Sequence, residues 1–230
     1  MNDMSTTDTL LKYDLGPGAE ACSTRRDSAL PFPVILGRQV HGFRVAVIDR
    51  PDIPAEALDG YDALITALPG VGIGVRTADC VPILLYNPLR RVVAAIHSGW
   101  KGTVQGISQK VLFEAKQRFG CRPEEFRAAI GPAIGPDSFQ VGEEVVQFFK
   151  EKDFPLDEIW RFRPGRSGIP MADGHHLDLF KANRWLLEQA GVPADRIQVC
   201  GIDSYTDPDF FSARREGFDC GRTISCIRLI

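Results

Sequence analysis

Short apolar runs alternate with turn signals in residues 63–100, which read ALITALPGVGIGVRTADCVPILLYNPLRRVVAAIHSGW. The runs are five to seven residues long, are rich in Val and Ile, and are separated by Pro69-Gly70 and Asn87-Pro88. Such lengths and compositions favour β-strands over helices. We therefore predict four strands here, over Ala63–Ala67, Gly72–Thr77, Cys80–Tyr86 and Val92–Ile96.

The rest of the chain mixes strand and helix patterns. Further strands are predicted over Val34–Leu36, Val45–Ile48, Phe126–Ile130, Ile197–Ile202 and Thr223–Leu229, and helices over Val104–Phe119, Gly142–Lys150 and Leu177–Ala190. These elements do not alternate strictly as βαβ units, so we expect an α+β class protein, with a mixed β core flanked by helices. Residues 1–33 are polar and rich in turn residues, which predicts an irregular N-terminal arm before a single domain over residues 34–230.

Composition excludes several classes of partner. The 230 residues are 44% hydrophobic and 25% charged, with a net charge of −3, which gives no electrostatic reason to expect nucleic acid or an anionic membrane. The N-terminus lacks a secretory pattern, and no apolar run approaches the ~20 residues of a spanning helix. The six cysteines form no dense framework, so reduced thiols in a cytoplasmic protein are expected. The sequence does not specify an oligomeric state.

Two histidines and one cysteine lie at predicted strand ends. His41 and His97 each precede a glycine-containing turn, and Cys80 opens an apolar strand. One thiolate and two imidazoles are good zinc ligands, and three protein ligands leave a fourth position open, as in catalytic zinc sites. By spacing alone, however, Cys80 is better explained as a small buried apolar residue than as a ligand, and each histidine as a hydrogen-bonded or surface residue.

Six ordered motifs resemble those of the YfiH-like, or laccase-domain, family. They are Gln39-Val40-His41-Gly42, Thr77-Ala78-Asp79-Cys80-Val81-Pro82, Ala95-Ile96-His97-Ser98-Gly99-Trp100-Lys101-Gly102-Thr103, Ile130-Gly131-Pro132-Ala133-Ile134-Gly135, Phe139-Gln140-Val141-Gly142-Glu143-Glu144-Val145 and Phe210-Phe211-Ser212-Ala213-Arg214-Arg215. Members are labelled polyphenol oxidase and, more recently, purine nucleoside phosphorylase with adenosine deaminase activity. The resemblance implies a YfiH-like fold, a Zn2+ cofactor held by His41, Cys80 and His97 as catalytic residues, and a purine nucleoside and phosphate as substrates.

Candidate substrate-binding residues surround these motifs. They are Gln39, Arg25, Arg76, Lys101 and Arg214, with Arg215 and Arg222 as further arginines suited to bidentate phosphate contacts. Each also has an ordinary interpretation as a polar surface residue. Asp79 is expected to support the backbone near the metal rather than bind it, because adjacent side chains in a strand face opposite sides. Trp100 could stack on a base or form a core wall, and His175-His176 is expected to be a surface loop pair.

Three alternatives to nucleoside chemistry remain open at this point. A multicopper oxidase needs many more histidine ligands than the four that this chain contains, so copper chemistry is disfavoured. A hydrolase that edits peptidoglycan precursors could use the same zinc centre. A non-catalytic, zinc-stabilised binding module would need a fourth ligand, and no candidate for one stands out.

Overall fold

The computed structural model describes residues 9–163 and 174–230. Within them the strands are β1 Leu10–Tyr13, β2 Ala19–Thr24, β3 Val34–Leu36, β4 Val45–Ile48, β5 Ala63–Thr66, β6 Gly72–Thr77, β7 Val81–Asn87, β8 Val92–Ser98, β9 Arg127–Ile130, β10 Gln140–Val141, β11 Trp160–Arg163, β12 Gly174–Leu177, β13 Ile197–Val199 and β14 Thr223–Leu229. The α-helices are α1 Trp100–Val104, α2 Ile107–Phe119, α3 Glu143–Lys150, α4 Leu156–Ile159, α5 Leu179–Gln189 and α6 Ala213–Glu216. Short 3-10 helices occur at Ala55–Leu58, Pro123–Glu125 and Ala194–Arg196.

The strands form three sheets with mixed pairing. A six-stranded sheet has the order β13-β9-β7-β8-β5-β4, a five-stranded sheet has the order β1-β2-β14-β6-β3, and a three-stranded sheet has the order β10-β12-β11. Parallel pairs, such as β4 with β5, occur beside antiparallel pairs such as β7 with β8. The predicted fold class, an α+β domain with a mixed β core and flanking helices, is thereby confirmed.

The six-stranded sheet is the middle layer of the molecule, which explains why its strands are apolar throughout. On β7, Ile83 and Leu85 belong to the core shared with α2 and α5, whereas Leu84 belongs to the core shared with the five-stranded sheet. Val93 and Ala94 on β8 divide between the two cores in the same way. Since successive side chains of a strand point to opposite faces, a strand covered on both faces must be apolar at every position.

The N-terminal arm is more regular than predicted. Residues 10–13 and 19–24 form β1 and β2, and β2 pairs with β14 from Ala19 opposite Leu229 to Ser23 opposite Ser225. The alternation of these short segments is too brief to stand out among their turn residues, so pairing with β14 decides their structure. The domain boundary at residue 34 stays a prediction.

Two predicted helices differ from the structure at their N-termini. The segment Val104–Phe119 is not one continuous helix, because Gly106 has φ +69° in the left-handed region and separates α1 from α2. The helix predicted over Leu177–Ala190 begins two residues later in the structure, as α5. Leu177 is the last residue of β12, and the Asp178 side chain caps the helix by accepting a hydrogen bond from the Lys181 N–H. An aspartate at the N-cap satisfies a backbone donor that the helix leaves unpaired.

In residues 9–163 and 174–230, no helix combines the length and the apolar character needed to cross a bilayer.

Candidate metal centre

The three predicted ligands meet at one edge of the six-stranded sheet. One donor atom from each of His41, Cys80 and His97 lies within 4.8 Å of the other two. The two imidazole rings meet edge to face, with centroids 4.9 Å apart and an interplanar angle of 73°. His97 is buried, Cys80 is half-buried and His41 is exposed, so the cluster opens to solvent on the side of His41.

Strand pairing brings two of these residues together. Cys80 immediately precedes β7, and His97 lies near the end of β8 opposite Pro82, in an antiparallel register that also pairs Val81 with Ser98. The separation of 17 residues between Cys80 and His97 therefore reflects one hairpin rather than a metal-binding motif. His41 comes from the connection between β3 and β4, which crosses the same sheet edge.

Asp62 contacts both histidines, His97 through its ring and His41 through its backbone N–H, and the sequence analysis did not identify it. Its fully buried carboxylate lies 2.8 Å from Nδ1 of His97, and it accepts hydrogen bonds from the backbone N–H groups of Val40, His41 and Gly42 at 3.2, 2.9 and 2.9 Å. His41 has φ +60°, an uncommon conformation for a residue other than glycine, and these three bonds stabilise it. The available signal was a lone acid directly before the apolar strand β5.

This carboxylate orients His97 for metal binding. Because Nδ1 of His97 faces Asp62, Nε2 is the nitrogen left to bind a metal, and a carboxylate behind a ligating imidazole is a common arrangement in zinc sites. Burial by itself would raise the pKa of Asp62, but hydrogen bonds from His97 and the backbone outweigh burial and hold that pKa below its ordinary value. Asp62 is therefore an anion throughout the neutral range.

The Cys80 thiol and the His97 imidazole stabilise each other's charged forms. Burial alone would raise the pKa of Cys80, but attraction to His97 and hydrogen bonds from both histidines lower it to about 6. Burial alone would also lower the pKa of His97, but Cys80 and Asp62 raise it to about 9. These opposite shifts favour a thiolate beside an imidazolium when no metal is bound, and a metal that binds Nε2 of His97 would displace the proton there.

Gly99 leaves room for the cluster. A Cβ atom at this position would lie 2.9 Å from Sγ of Cys80 and 3.3 Å from Cδ2 of His41. The first distance is shorter than carbon and sulfur atoms tolerate without a shift, so a larger residue would displace two ligands. This lack of space for a side chain explains why glycine occupies the third position of the His97-Ser98-Gly99-Trp100 motif.

A buried polar network fixes the turn after His97. Oγ of Ser98 donates to Oδ1 of Asn183 at 2.7 Å, Nδ2 of Asn183 donates to Oγ1 of Thr103 at 3.1 Å, and that hydroxyl donates to the Gly99 carbonyl at 3.0 Å. All three side chains are buried. The network connects α5 to the end of the sheet where the candidate ligands lie. Because every member has a hydrogen-bond partner, the network makes this turn rigid and leaves no buried polar group unpaired within it.

Asp79 supports the loop beside Cys80, as expected. Its carboxylate accepts from Oγ of Ser204 and from the backbone N–H of Arg214, both at 2.7 Å, while its carbonyl accepts from the N–H of Ile134 at 2.9 Å. Three separate motifs are thus connected at the cysteine ligand. The guanidinium of Arg214 donates to the Gln140 carbonyl at 3.1 Å, is exposed, and lies 5.8 Å from the Phe139 ring centroid.

The other predicted substrate-binding residues have identifiable partners. The Gln39 amide pairs with the backbone of Arg76 through two bonds of 2.8 Å. Arg25 forms a 2.8 Å ion pair with Asp209. Lys101 is exposed on α1, with Nζ 5.6 Å from the Trp100 ring centroid. Their roles in substrate binding stay predictions, although Gln39 and Arg25 already have structural partners.

The remaining arginines and aromatic residues have structural partners as well. The Arg215 guanidinium donates to four backbone carbonyls, those of Ser204, Tyr205, Asp207 and Phe210. The Arg222 guanidinium donates to three, those of Phe218, Cys220 and Gly221. Both guanidinium groups therefore organise loops. The half-buried Trp100 ring stacks on the ring of Phe148, with centroids 5.8 Å apart.

The prediction that His175-His176 lies in a surface loop was wrong. Both residues lie in β12, where His176 is buried and His175 stacks on Trp160 and accepts a 3.0 Å hydrogen bond from its indole N–H. Pairing with β10 and β11 makes this short segment a strand, and neither partner strand was evident from periodicity.

The donor set fits zinc. A cysteine and two histidines supply the sulfur and nitrogen ligands that Zn2+ prefers, and three ligands on an open edge match a catalytic rather than a closed structural site. In the described parts of the chain, no fourth His, Cys, Asp or Glu joins the cluster. The fold and this cluster define an α+β protein with a three-residue His-Cys-His candidate metal site.

Comparisons with known proteins identify the family. A family model described as multi-copper polyphenol oxidoreductase laccase matches residues 21–230, and the chain belongs to this family. It is 43% identical over 203 residues to adenosine deaminase RL5 of an unknown prokaryotic organism, covering 84% of this chain and 74% of that protein. It is 37% identical to a purine nucleoside phosphorylase of Bacteroides thetaiotaomicron, covering 92% and 82% of the two chains.

A solved structure with the same fold confirms the YfiH-like resemblance. The crystal structure of the hypothetical protein YfiH from Bacillus licheniformis superimposes with a TM-score of 0.80 at 26% sequence identity. The match covers 92% of this chain and 93% of the other.

Proposed function

We propose that this chain is a zinc-dependent purine nucleoside enzyme that phosphorolyses adenosine and inosine and deaminates adenosine. The observation that supports it is the convergence of His41, Cys80 and His97 at a solvent-open sheet edge. Relatives named adenosine deaminase and purine nucleoside phosphorylase, at 43% and 37% identity, favour nucleosides over peptidoglycan precursors as substrates.

The chain's own residues prepare this centre. Asp62 fixes the orientation of His97 and the backbone of residues 40–42, and Gly99 keeps the space beside Cys80 clear. When bound, zinc would supply Lewis acidity at the reacting group of the substrate. Because the polar network behind Gly99 is buried and fully paired, the ligands need little rearrangement to bind the ion.

Arg214 is the residue we favour for phosphate binding. Its backbone N–H donates to Asp79, directly before the cysteine ligand, and the residue is exposed. A guanidinium can bind phosphate oxygens bidentately. Arg76 and Lys101 are second choices, because they are exposed but have no comparable connection to Cys80.

The test removes one ligand and measures two properties. We expect His97→Ala to lose both inosine formation from adenosine and phosphate-dependent release of hypoxanthine from inosine, as followed by mass spectrometry, while it stays folded with a lower melting temperature, because Asp62 loses its imidazole partner. His175→Gln is the matched control, because it changes an imidazole on β12 and should leave both reactions intact.

Other outcomes distinguish the alternatives. Wild-type rates in His97→Ala would refute the catalytic role of the metal. Unfolding of the variant would favour a structural zinc, since the binding energy of a structural site is folding energy. Turnover of a nucleotide-linked muropeptide, but of no nucleoside, by the wild type would favour the peptidoglycan hydrolase.

A further inference from the structure

Two cysteines outside the metal centre are cross-strand neighbours in the five-stranded sheet. Cys22 on β2 and Cys226 on β14 are directly opposite in the antiparallel register, and their sulfur atoms are 3.6 Å apart. Both are free thiols. Opposite residues in antiparallel strands have Cα separations within the range that a disulfide spans, so rotation of the side chains is enough to join the sulfurs.

We propose that Cys22 and Cys226 are a site of reversible oxidative modification, in which a peroxide converts the two thiols into a cross-strand disulfide and a thiol reductant restores them. The proposal is independent of the nucleoside chemistry, because neither cysteine belongs to the metal centre.

The hydrogen bond between the thiols gives them different roles. A hydrogen bond between the two sulfurs, in which either can be the donor, lowers the pKa of Cys22 and, together with burial, raises the pKa of Cys226. The Cys22 thiolate attacks one peroxide oxygen, the O–O bond breaks, and a sulfenic acid and water form. The Cys226 sulfur then attacks the Cys22 sulfur and releases a second water. In total, two thiols and one hydrogen peroxide give one disulfide and two waters, with two electrons passing from sulfur to oxygen.

A small apolar cluster surrounds this pair. Cys22 and Cys226 are buried with Phe32 in a small cluster that is separate from the two main cores. The Arg228 guanidinium lies 4.3 Å from the Phe32 ring centroid and pairs with Glu20 at 2.6 Å. Small clusters with few apolar contacts open locally at low free-energy cost. Opening at Phe32, rather than thiol chemistry, should therefore limit the rate of oxidation.

The disulfide would connect chain segments that are far apart in sequence. Positions 22 and 226 are 204 residues apart, and a link across such a long loop restricts the unfolded chain strongly. It would hold β2 against β14, and β14 in turn pairs with β6, the strand that leads towards Cys80. Oxidation should thus stabilise the fold without altering the ligands of the metal centre.

Peptide mapping tests the link directly. The wild-type protein is treated with hydrogen peroxide and digested with trypsin without reduction. We expect residues 13–25 joined to residues 223–228, with a mass two hydrogen atoms below the sum of the two peptides. The melting temperature should rise by several degrees, and dithiothreitol should reverse both changes.

Variants separate this site from general thiol oxidation. Cys226→Ser should leave a sulfenic acid on Cys22 that dimedone traps, whereas Cys22→Ser should give no trapped adduct at Cys226. Phe32→Ala should speed disulfide formation several-fold, and Phe218→Ala, at an 87% exposed position, should not. Recovery of the two peptides unlinked after the other cysteines have oxidised would overturn the proposal, as would an equal rise in melting temperature in either cysteine variant.

Discussion

At the scale of single residues, Asp62 shows how much of a metal centre can depend on one side chain that binds no metal. It fixes the rotation of one candidate ligand and the backbone of another, and among the described residues no lysine or arginine forms an ion pair with its fully buried carboxylate. Its pairing with an imidazole and three backbone donors compensates for the burial of its charge. Substitutions at Asp62 should consequently affect zinc before they affect the fold.

We predict that Asp62→Asn lowers zinc affinity by about 10- to 100-fold, the usual effect of removing a carboxylate behind a ligating histidine. The amide has the same shape, but it loses the charge, and its NH2 group must face a backbone N–H or His97. Chelator competition on the purified protein measures the affinity. Asp59→Asn is the control, because Asp59 is exposed and pairs only loosely with Arg38. Equal zinc affinity in Asp62→Asn and the wild type would refute this role.

At the scale of elements, Glu125 connects the end of β7 to the turn that starts β9. Its carboxylate accepts from Asn87 Nδ2, from the backbone N–H of Arg122 and from Arg122 Nε, at 3.0, 3.0 and 2.7 Å. The Arg122 backbone bond, with Asn87 and the Arg122 side chain, lowers the pKa of Glu125 from 4.5 to about 2. These strands are central to the sheet that holds the metal edge, so this carboxylate makes the sheet sensitive to acid.

The direction of that sensitivity follows from the pKa shift. Because the pKa of Glu125 is lower in the folded than in the unfolded chain, the ionised carboxylate stabilises the fold above about pH 4.5, and this contribution disappears as the pH falls towards 2. We predict that Glu125→Gln is less stable than the wild type at pH 7 and that the difference shrinks between pH 5 and pH 2. Urea unfolding at several pH values measures it. Glu124→Gln, at a more exposed carboxylate, should show a smaller difference, and a Glu125→Gln deficit that does not change with pH would contradict the prediction.

At the scale of the whole molecule, the fold brings together one three-residue candidate metal cluster in the described parts of the chain. The family name refers to several coppers, but four histidines cannot supply such a set of centres within one chain. The remaining two, His175 and His176, lie in β12, where Trp160 and the Gly174 carbonyl already contact their Nδ1 atoms.

We predict one zinc ion per chain and no oxidation of phenols. Elemental analysis should give one zinc equivalent for the wild type and markedly less for Cys80→Ala, because that variant lacks the only thiolate ligand. Cys220→Ala, which removes a thiol outside the cluster, should retain its zinc. Copper near four equivalents with robust phenol oxidation, or full zinc in Cys80→Ala, would show that the ligand set is wrong.

The sequence alone determined the general class of the fold and the identity of the three candidate ligands. The apolar strands over residues 63–98 could be predicted because burial on both faces demands apolar residues at every position. The ligands could be named because His41, Cys80 and His97 lie within motif words that resemble a known family. Spacing alone did not identify them, since separations of 39 and 17 residues are compatible with many arrangements and do not show that three residues meet at one sheet edge.

Tertiary structure alone decided what surrounds those ligands. The contacts of Asp62 with His97, of Asn183 with Ser98 and of Cys22 with Cys226 join residues 35, 85 and 204 positions apart, and no local pattern signals such pairs. The same holds for β1, β2 and β12, which are strands because a partner strand satisfies their backbone groups rather than because of their own propensity. Local periodicity indicates which face of a helix or strand is buried. A functional site depends instead on which helices and strands contact one another, and only the folded chain determines those contacts.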